Sequence, residues 1–180
     1  IDYQTDIARN SSGNIISYDL KSENYAGEIA PKDTSYFHVE LSAFDGDDAT
    51  TIETTEFDDE AHSVIVKIDL QEEITRSDGN ITSYKLTTTK YQDEAPQEPA
   101  YFFVELTDYV GDDAGSITTT EYMDSTRTAI KKIDYQTDIT RDSSGNIISY
   151  DLKTESYAGE IAPKDPSYFH VELSAFDGDD

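Results

Sequence analysis

The chain has 180 residues, 39 acidic against 13 basic side chains, a formal net charge of −26 and no cysteine. A phosphate-binding face needs clustered Lys and Arg, and the longest basic run is Lys131-Lys132, so the composition argues against nucleic acid and anionic membranes as partners. The missing cysteines exclude a disulfide framework and thiolate metal sites, and no apolar run approaches the ~18 residues of a helical membrane span.

The hydrophobic share is low at 36%, yet 13 Tyr, 7 Phe and many Ile, Val and Thr residues favour ordered strands over acidic disorder. The charge favours cations as partners, or a salty medium that screens self-repulsion. No signal peptide is visible, and the chain opens on IDYQTDI, already in strand-like alternation.

In chain order, Ile1, Tyr3, Thr5 and Ile7 share one side of a first strand. Ser12-Gly13-Asn14 turns it, and the counterpart Asp78-Gly79-Asn80 is a strong hairpin signal. The return strand sets Ile16, Tyr18 and Leu20 on one face, expected to point inward. NYAGEIAPKD reads as a loop. Phe37, Val39, Leu41 and Ala43 line a third strand, the GDD at Gly46-Asp47-Asp48 turns the chain, and Ile52 to Phe57 is a Thr-rich fourth strand. In HSVIVKIDLQEEITR, the residues Val64, Val66, Ile68, Leu70 and Ile74 keep one parity, with no Gly or Pro to interrupt them.

That last strand crosses a repeat border. IDYQTDI recurs as IDLQEEI and again as IDYQTDI, starting at Ile1, Ile68 and Ile133, so the period is 67 and then 65 residues. The repeats are 1–67, 68–132 (a diverged copy) and 133–180 (a truncated copy). The first and third differ over their shared length only at Ala8/Thr140, Asn10/Asp142, Ser22/Thr154, Asn24/Ser156 and Thr34/Pro166. This is an alternating array with a super-period of 132 residues. It leads to the expectation that an ATTIETTEF-like strand follows Asp180 and that the chain is an excerpt of a longer array. A lone repeat of this length is marginal. Sharing a strand with a neighbour buries its edge. The fold expected is therefore all-β: tandem small antiparallel β-sandwich (Ig-like) repeats of about 65–67 residues, with a strand continuous across repeat boundaries.

Candidate chemistry is sparse. GDD recurs at Gly111-Asp112-Asp113 and Gly178-Asp179-Asp180, while Asp59 and Asp124 hold equivalent places in the next turn. Carboxylates on loops are hard oxygen ligands, so Asp47, Asp48, Asp59, Asp112, Asp113, Asp124, Asp179 and Asp180 are the candidate Ca²⁺ residues, although no EF-hand spacing is present. A solvated acidic turn is the plain alternative. Asn10-Ser11-Ser12 and Asn80-Ile81-Thr82 are N-glycosylation sequons on turns. His38 and His170 are one repeat position, filled by Phe103 in the second copy, and His62 aligns with Arg127. Those swaps favour exposed strand residues over catalysis. No repeat-consistent nucleophile and base pair with an orienting group appears, so no enzyme is expected. Tyr18, Tyr84 and Tyr150 read as core, whereas Tyr25 and Tyr157 are interface candidates.

The function expected is structural: an extracellular or cell-surface repetitive protein forming a fibre, filament or adhesin stalk, with neighbouring repeats or copies as partners. The alternative is a carbohydrate- or calcium-binding array.

Overall fold

The computed structural model describes residues 1–25, 30–142, 145–157, 162–164 and 166–173. Its strands are β1 (Asp2–Arg9), β2 (Ile15–Asn24), β3 (Asp33–Asp45), β4 (Asp48–Phe57), β5 (Ile65–Ser77), β6 (Asn80–Gln92), β7 (Ala95–Pro96), β8 (Ala100–Thr107), β9 (Ser116–Tyr122), β10 (Ile130–Arg141), β11 (Ile147–Ser156) and β12 (Ser167–Glu172). No helix occurs among the described residues. The hydrogen-bonded order is β1-β2-β3-β4-β5-β6-β8-β9-β10-β11-β12, with β7 on β6, so the sheet is one antiparallel meander of 12 strands.

The turns follow from local chemistry. Asp78 (φ 53°) and Gly79 (φ 89°) both take positive φ between β5 and β6, the type I′ geometry that matches strand twist. Gly46 (φ 63°) sits first in the two-residue link between Asp45 and Asp48, as a type II′ turn requires. Positive φ also recurs at one place inside the first strand of every repeat: Asp6 (φ 51°), Glu73 (φ 52°) and Asp138 (φ 53°). The β1–β2 and β10–β11 registers shift there, after Thr5 and Thr137, which marks a β-bulge.

The border-crossing strands form as expected. β5 runs unbroken through Lys67 and Ile68, and β10 runs through Lys132 and Ile133. β10 pairs on one side with β9 of the second repeat and on the other with β11 of the third. Each border strand thus closes one repeat and opens the next, and one four-strand set repeats along the sheet.

By internal contacts the chain forms two compact units. Among the described residues, one holds Ile1–Glu73 with Thr87–Pro99; the other holds Ile74–Leu86 with the residues from Ala100 to Leu173. The buried apolar side chains are Val39 and Ala49 in the first unit and Ile74, Val104 and Ala114 in the second. Val39 and Val104 are one repeat position, as are Ala49 and Ala114. No described side chain is fully buried.

Two expectations need correcting. The hydrogen bonds join strands of all repeats into one sheet, so a separate sandwich per repeat is not what they show. The expected inward face is also missing: along β2 nine of ten residues are half-buried, with no alternation. Tyr18, Tyr84 and Tyr150 are accordingly half-buried rather than core. A neighbouring strand on each side buries more: Ile74, in β5, is 4% exposed, while Ile7, at the same place in the outermost strand β1, is 46% exposed.

Candidate functional sites in the acidic turns and at the sheet edge

The GDD turns are shaped by hydrogen bonds from the preceding hairpin. Asn14 Nδ2 donates to Gly46 O (3.4 Å), and Asn80 Nδ2 donates to Gly111 O (3.1 Å). Asp48 stands opposite Asp45, and Asp113 forms a bridge with Val110. Asp113 Oδ1 also meets Arg141 Nε at 3.2 Å. Asp47 and Asp112 are exposed. Asp179 and Asp180 lie outside the described residues.

Asp59 and Asp124 do different work. Asp59 Oδ1 accepts from the N–H of Ser63 (2.9 Å) and Val64 (3.2 Å), while Oδ2 accepts from Ser63 Oγ (2.6 Å). These bonds, led by the Ser63 hydroxyl, hold its carboxyl below the usual range. Asp124 Oδ1 accepts from Thr126 N–H at 2.9 Å. Both are Asx-type turn residues. They are not brought to the GDD carboxylates. Asp47-Asp48 and Asp59 flank opposite ends of β4, about 30 Å apart at ~3.3 Å per residue, and β9 separates Asp113 from Asp124 in the same way. Among the described residues no three His, Asp or Glu side chains converge as a metal site would need.

Asn10 Oδ1 accepts from the N–H of Ser12 and Asn14, both at 3.0 Å. Asp142 Oδ1 accepts from Asn146 N–H at 3.0 Å in the third repeat. The turn needs an Oδ acceptor there, which either residue supplies.

The sheet face carries a second set of groups that sequence periodicity did not reveal. His38 Nδ1 lies 2.6 Å from Asp19 Oδ1 across β2–β3, and His170 Nδ1 lies 2.5 Å from Asp151 Oδ1 across β11–β12. Beside them run the triads Lys21–Glu23–Tyr25 and Lys153–Glu155–Tyr157. Lys21 Nζ and Lys153 Nζ each meet their Glu at 2.6 Å, and Tyr25 and Tyr157 donate to the same Glu at 2.7 and 3.0 Å. The Glu23 hydrogen bond, with desolvation, pushes the Tyr25 hydroxyl up to about 12. Tyr25 and Tyr157, expected at an interface, are thus tied within their own repeats.

The face is capped from the turn after the fourth strand. His62 stacks on Phe57 at 4.5 Å and brings Nδ1 to 4.0 Å from Asp19 Oδ2. At the same repeat position Arg127 donates to Phe102 O (3.3 Å) and Leu86 O (3.4 Å), and lies over the Tyr101 ring at 5.7 Å. Both cap residues have φ 53°.

No matching family model, curated relative or solved structure is found for the chain. The fold itself defines the class: an all-β tandem-repeat protein whose sheet runs through its repeat borders. No helix among the described residues is long and apolar enough to cross a membrane.

Proposed function

We propose that the chain is a structural element of a cell surface or extracellular matrix, a repeat array that serves as a fibre, filament or stalk. The observation that carries this is β10, a single strand shared by two repeats and hydrogen-bonded to both. Such a border leaves no linker to flex, so mechanical load passes through a hydrogen-bonded ladder. The near-identity of the first and third repeats supports the same reading, because an array that lengthens by duplication keeps its period. A strong negative charge keeps such an object soluble and resists unspecific clumping.

Negative-stain electron microscopy of the chain and of a longer concatenated version tests this. Straight particles whose length rises by a fixed step per added repeat support the array. Globules joined by flexible gaps would overturn it.

A further inference from the structure

The second repeat fills a space over its sheet that the first repeat leaves open. Arg127 reaches back from the β9–β10 turn. Its guanidinium lies over the Tyr101 ring at 5.7 Å and donates to Phe102 O and Leu86 O. In the first repeat Tyr36, Phe37 and Leu20 hold the places of Tyr101, Phe102 and Leu86, and His62 holds that of Arg127. The shorter imidazole stacks on Phe57 instead, with ring centroids 4.5 Å apart. A cavity of about 260 Å³ remains beside Tyr3, Leu20 and Tyr36.

The walls of this cavity are acidic, with Asp6, Asp19 and Glu60 among them. Asp19 Oδ1 is held by His38 at 2.6 Å, but Oδ2 has no hydrogen bond among the described residues and faces His62 Nδ1 at 4.0 Å. The carboxylates of Asp6 and Glu60 make no hydrogen bond or ion pair among the described residues. Lys21 Nζ comes to 6.0 Å from the Tyr36 ring centroid, but Glu23 holds it at 2.6 Å. The second repeat reverses these choices: Lys85 stands in place of Asp19 and Ser125 in place of Glu60. An internal guanidinium therefore goes with lost carboxylates, and an open cavity with retained ones. The third repeat keeps Tyr135, Asp151 and Tyr168 as equivalent walls. There β9 flanks the strand that carries Tyr135, so the walls do not depend on an edge strand.

We propose that the cavity of the first repeat binds a guanidinium from outside the chain, the arginine side chain of a partner protein, seated over Tyr36 as Arg127 is over Tyr101. Aromatic faces attract such a cation, and its planar fork of donors suits a carboxylate such as Asp19 together with backbone carbonyls. The net charge of −26 draws cations toward the site. The site does not depend on the array reading above.

The test is a titration of blocked arginine, N-acetyl-arginine amide, onto the full chain at low ionic strength and neutral pH. NMR follows the Tyr36 ring and the Asp19 and Glu60 amides, with Tyr101 and Lys85 as internal controls. Saturable shifts at the first three and none at the controls are the expected result. Blocked lysine should bind severalfold more weakly, because an ammonium lacks the fork. His62→Arg should abolish binding by supplying the guanidinium internally. Glu60→Gln, at an exposed turn position, should weaken binding severalfold without disturbing the fold. No saturation, equal shifts with sodium or blocked lysine, or full binding by both variants overturns the proposal. Tighter binding of free arginine than of the blocked residue overturns the assignment to a side chain of a partner protein.

Discussion

His170 Nδ1 lies 2.5 Å from Asp151 Oδ1 across the β11–β12 pair, and His38 repeats the contact with Asp19 at 2.6 Å. The second repeat replaces both members together, with Lys85 and Phe103. Asp151, helped by Glu172 at 3.7 Å from Nε2, raises the His170 pKa above its ordinary 6.5. A raised imidazole pKa contributes stability that is present in full below pH 6.5 and lost as pH rises through the folded value. Asp151→Asn should therefore move the His170 titration to lower pH in ¹H–¹⁵N NMR, and His170→Phe should abolish that component of the pH dependence. An unmoved titration in Asp151→Asn would assign the shift elsewhere.

Glu155 shows the opposite sign. Its hydrogen bond to Lys153, then those from Tyr157 and Tyr135, hold its carboxyl below 4.5. The contribution is present above pH 4.5 and vanishes as pH falls through the folded value. Glu155→Gln should lower the urea midpoint at pH 7, and the gap from the parent chain should close in acid. A gap independent of pH would mean that the charge plays no part.

The bulge at Asp138 holds an L-residue at φ 53°. Asp138→Gly should stabilise the chain by up to about 1 kcal/mol, whereas Asp138→Val should cost about 1–2 kcal/mol. Thermal melts of the two variants should move apart in opposite directions.

Gly115 has no room for a side chain, because a Cβ would stand 2.6 Å from Asp108 O. Gly115→Ala should destabilise the second unit by about 1–3 kcal/mol. Thr50 fills this place in the first repeat, where the β3–β4 ladder skips the pair with Ala43 (φ 51°) and resumes at Phe44↔Ala49 and Asp45↔Asp48. In the second repeat the ladder stops at Thr107↔Ser116 and a bulkier turn begins. Denaturant midpoints equal to those of the parent chain would refute the crowding.

A net charge of −26 repels itself across both faces of the sheet. Sodium chloride should raise the melting temperature by several degrees between low and high ionic strength, with the steepest rise at low salt, where the Debye length is longest. A flat salt response would show that local ion pairs such as Lys67–Asp69, at 2.9 Å, already neutralise the strain.

Much of the layout was legible in sequence for definite physical reasons. Asp78-Gly79 dictates its turn through positive φ, and the unbroken parity from Val64 to Ile74 announced the border strand that β5 forms. The layering was not legible. Alternation such as Ile16, Tyr18, Leu20 implies a buried face only if something covers that face, and local pattern says nothing about the cover. The Asp19–His38 pair was hidden because it depends on cross-strand register. Its one trace in sequence is the joint change to Lys85 and Phe103. Asp47 and Asp59 are near neighbours in chain order, and the ten residues of extended β4 separate them.

A chain that carries near-copies of itself risks zipping the wrong strands together as it folds. β2 beside β8 would set Asp19 against Phe103, and β6 beside β3 would set Lys85 against His38. The first error strands the Asp19 carboxylate that the native order pairs with His38, and the second sets two nitrogen bases side by side. The paired substitution therefore works as a proofreading mark between adjacent repeats. The first and third repeats lack such a mark between them, and their near-identical hairpins begin 132 residues apart.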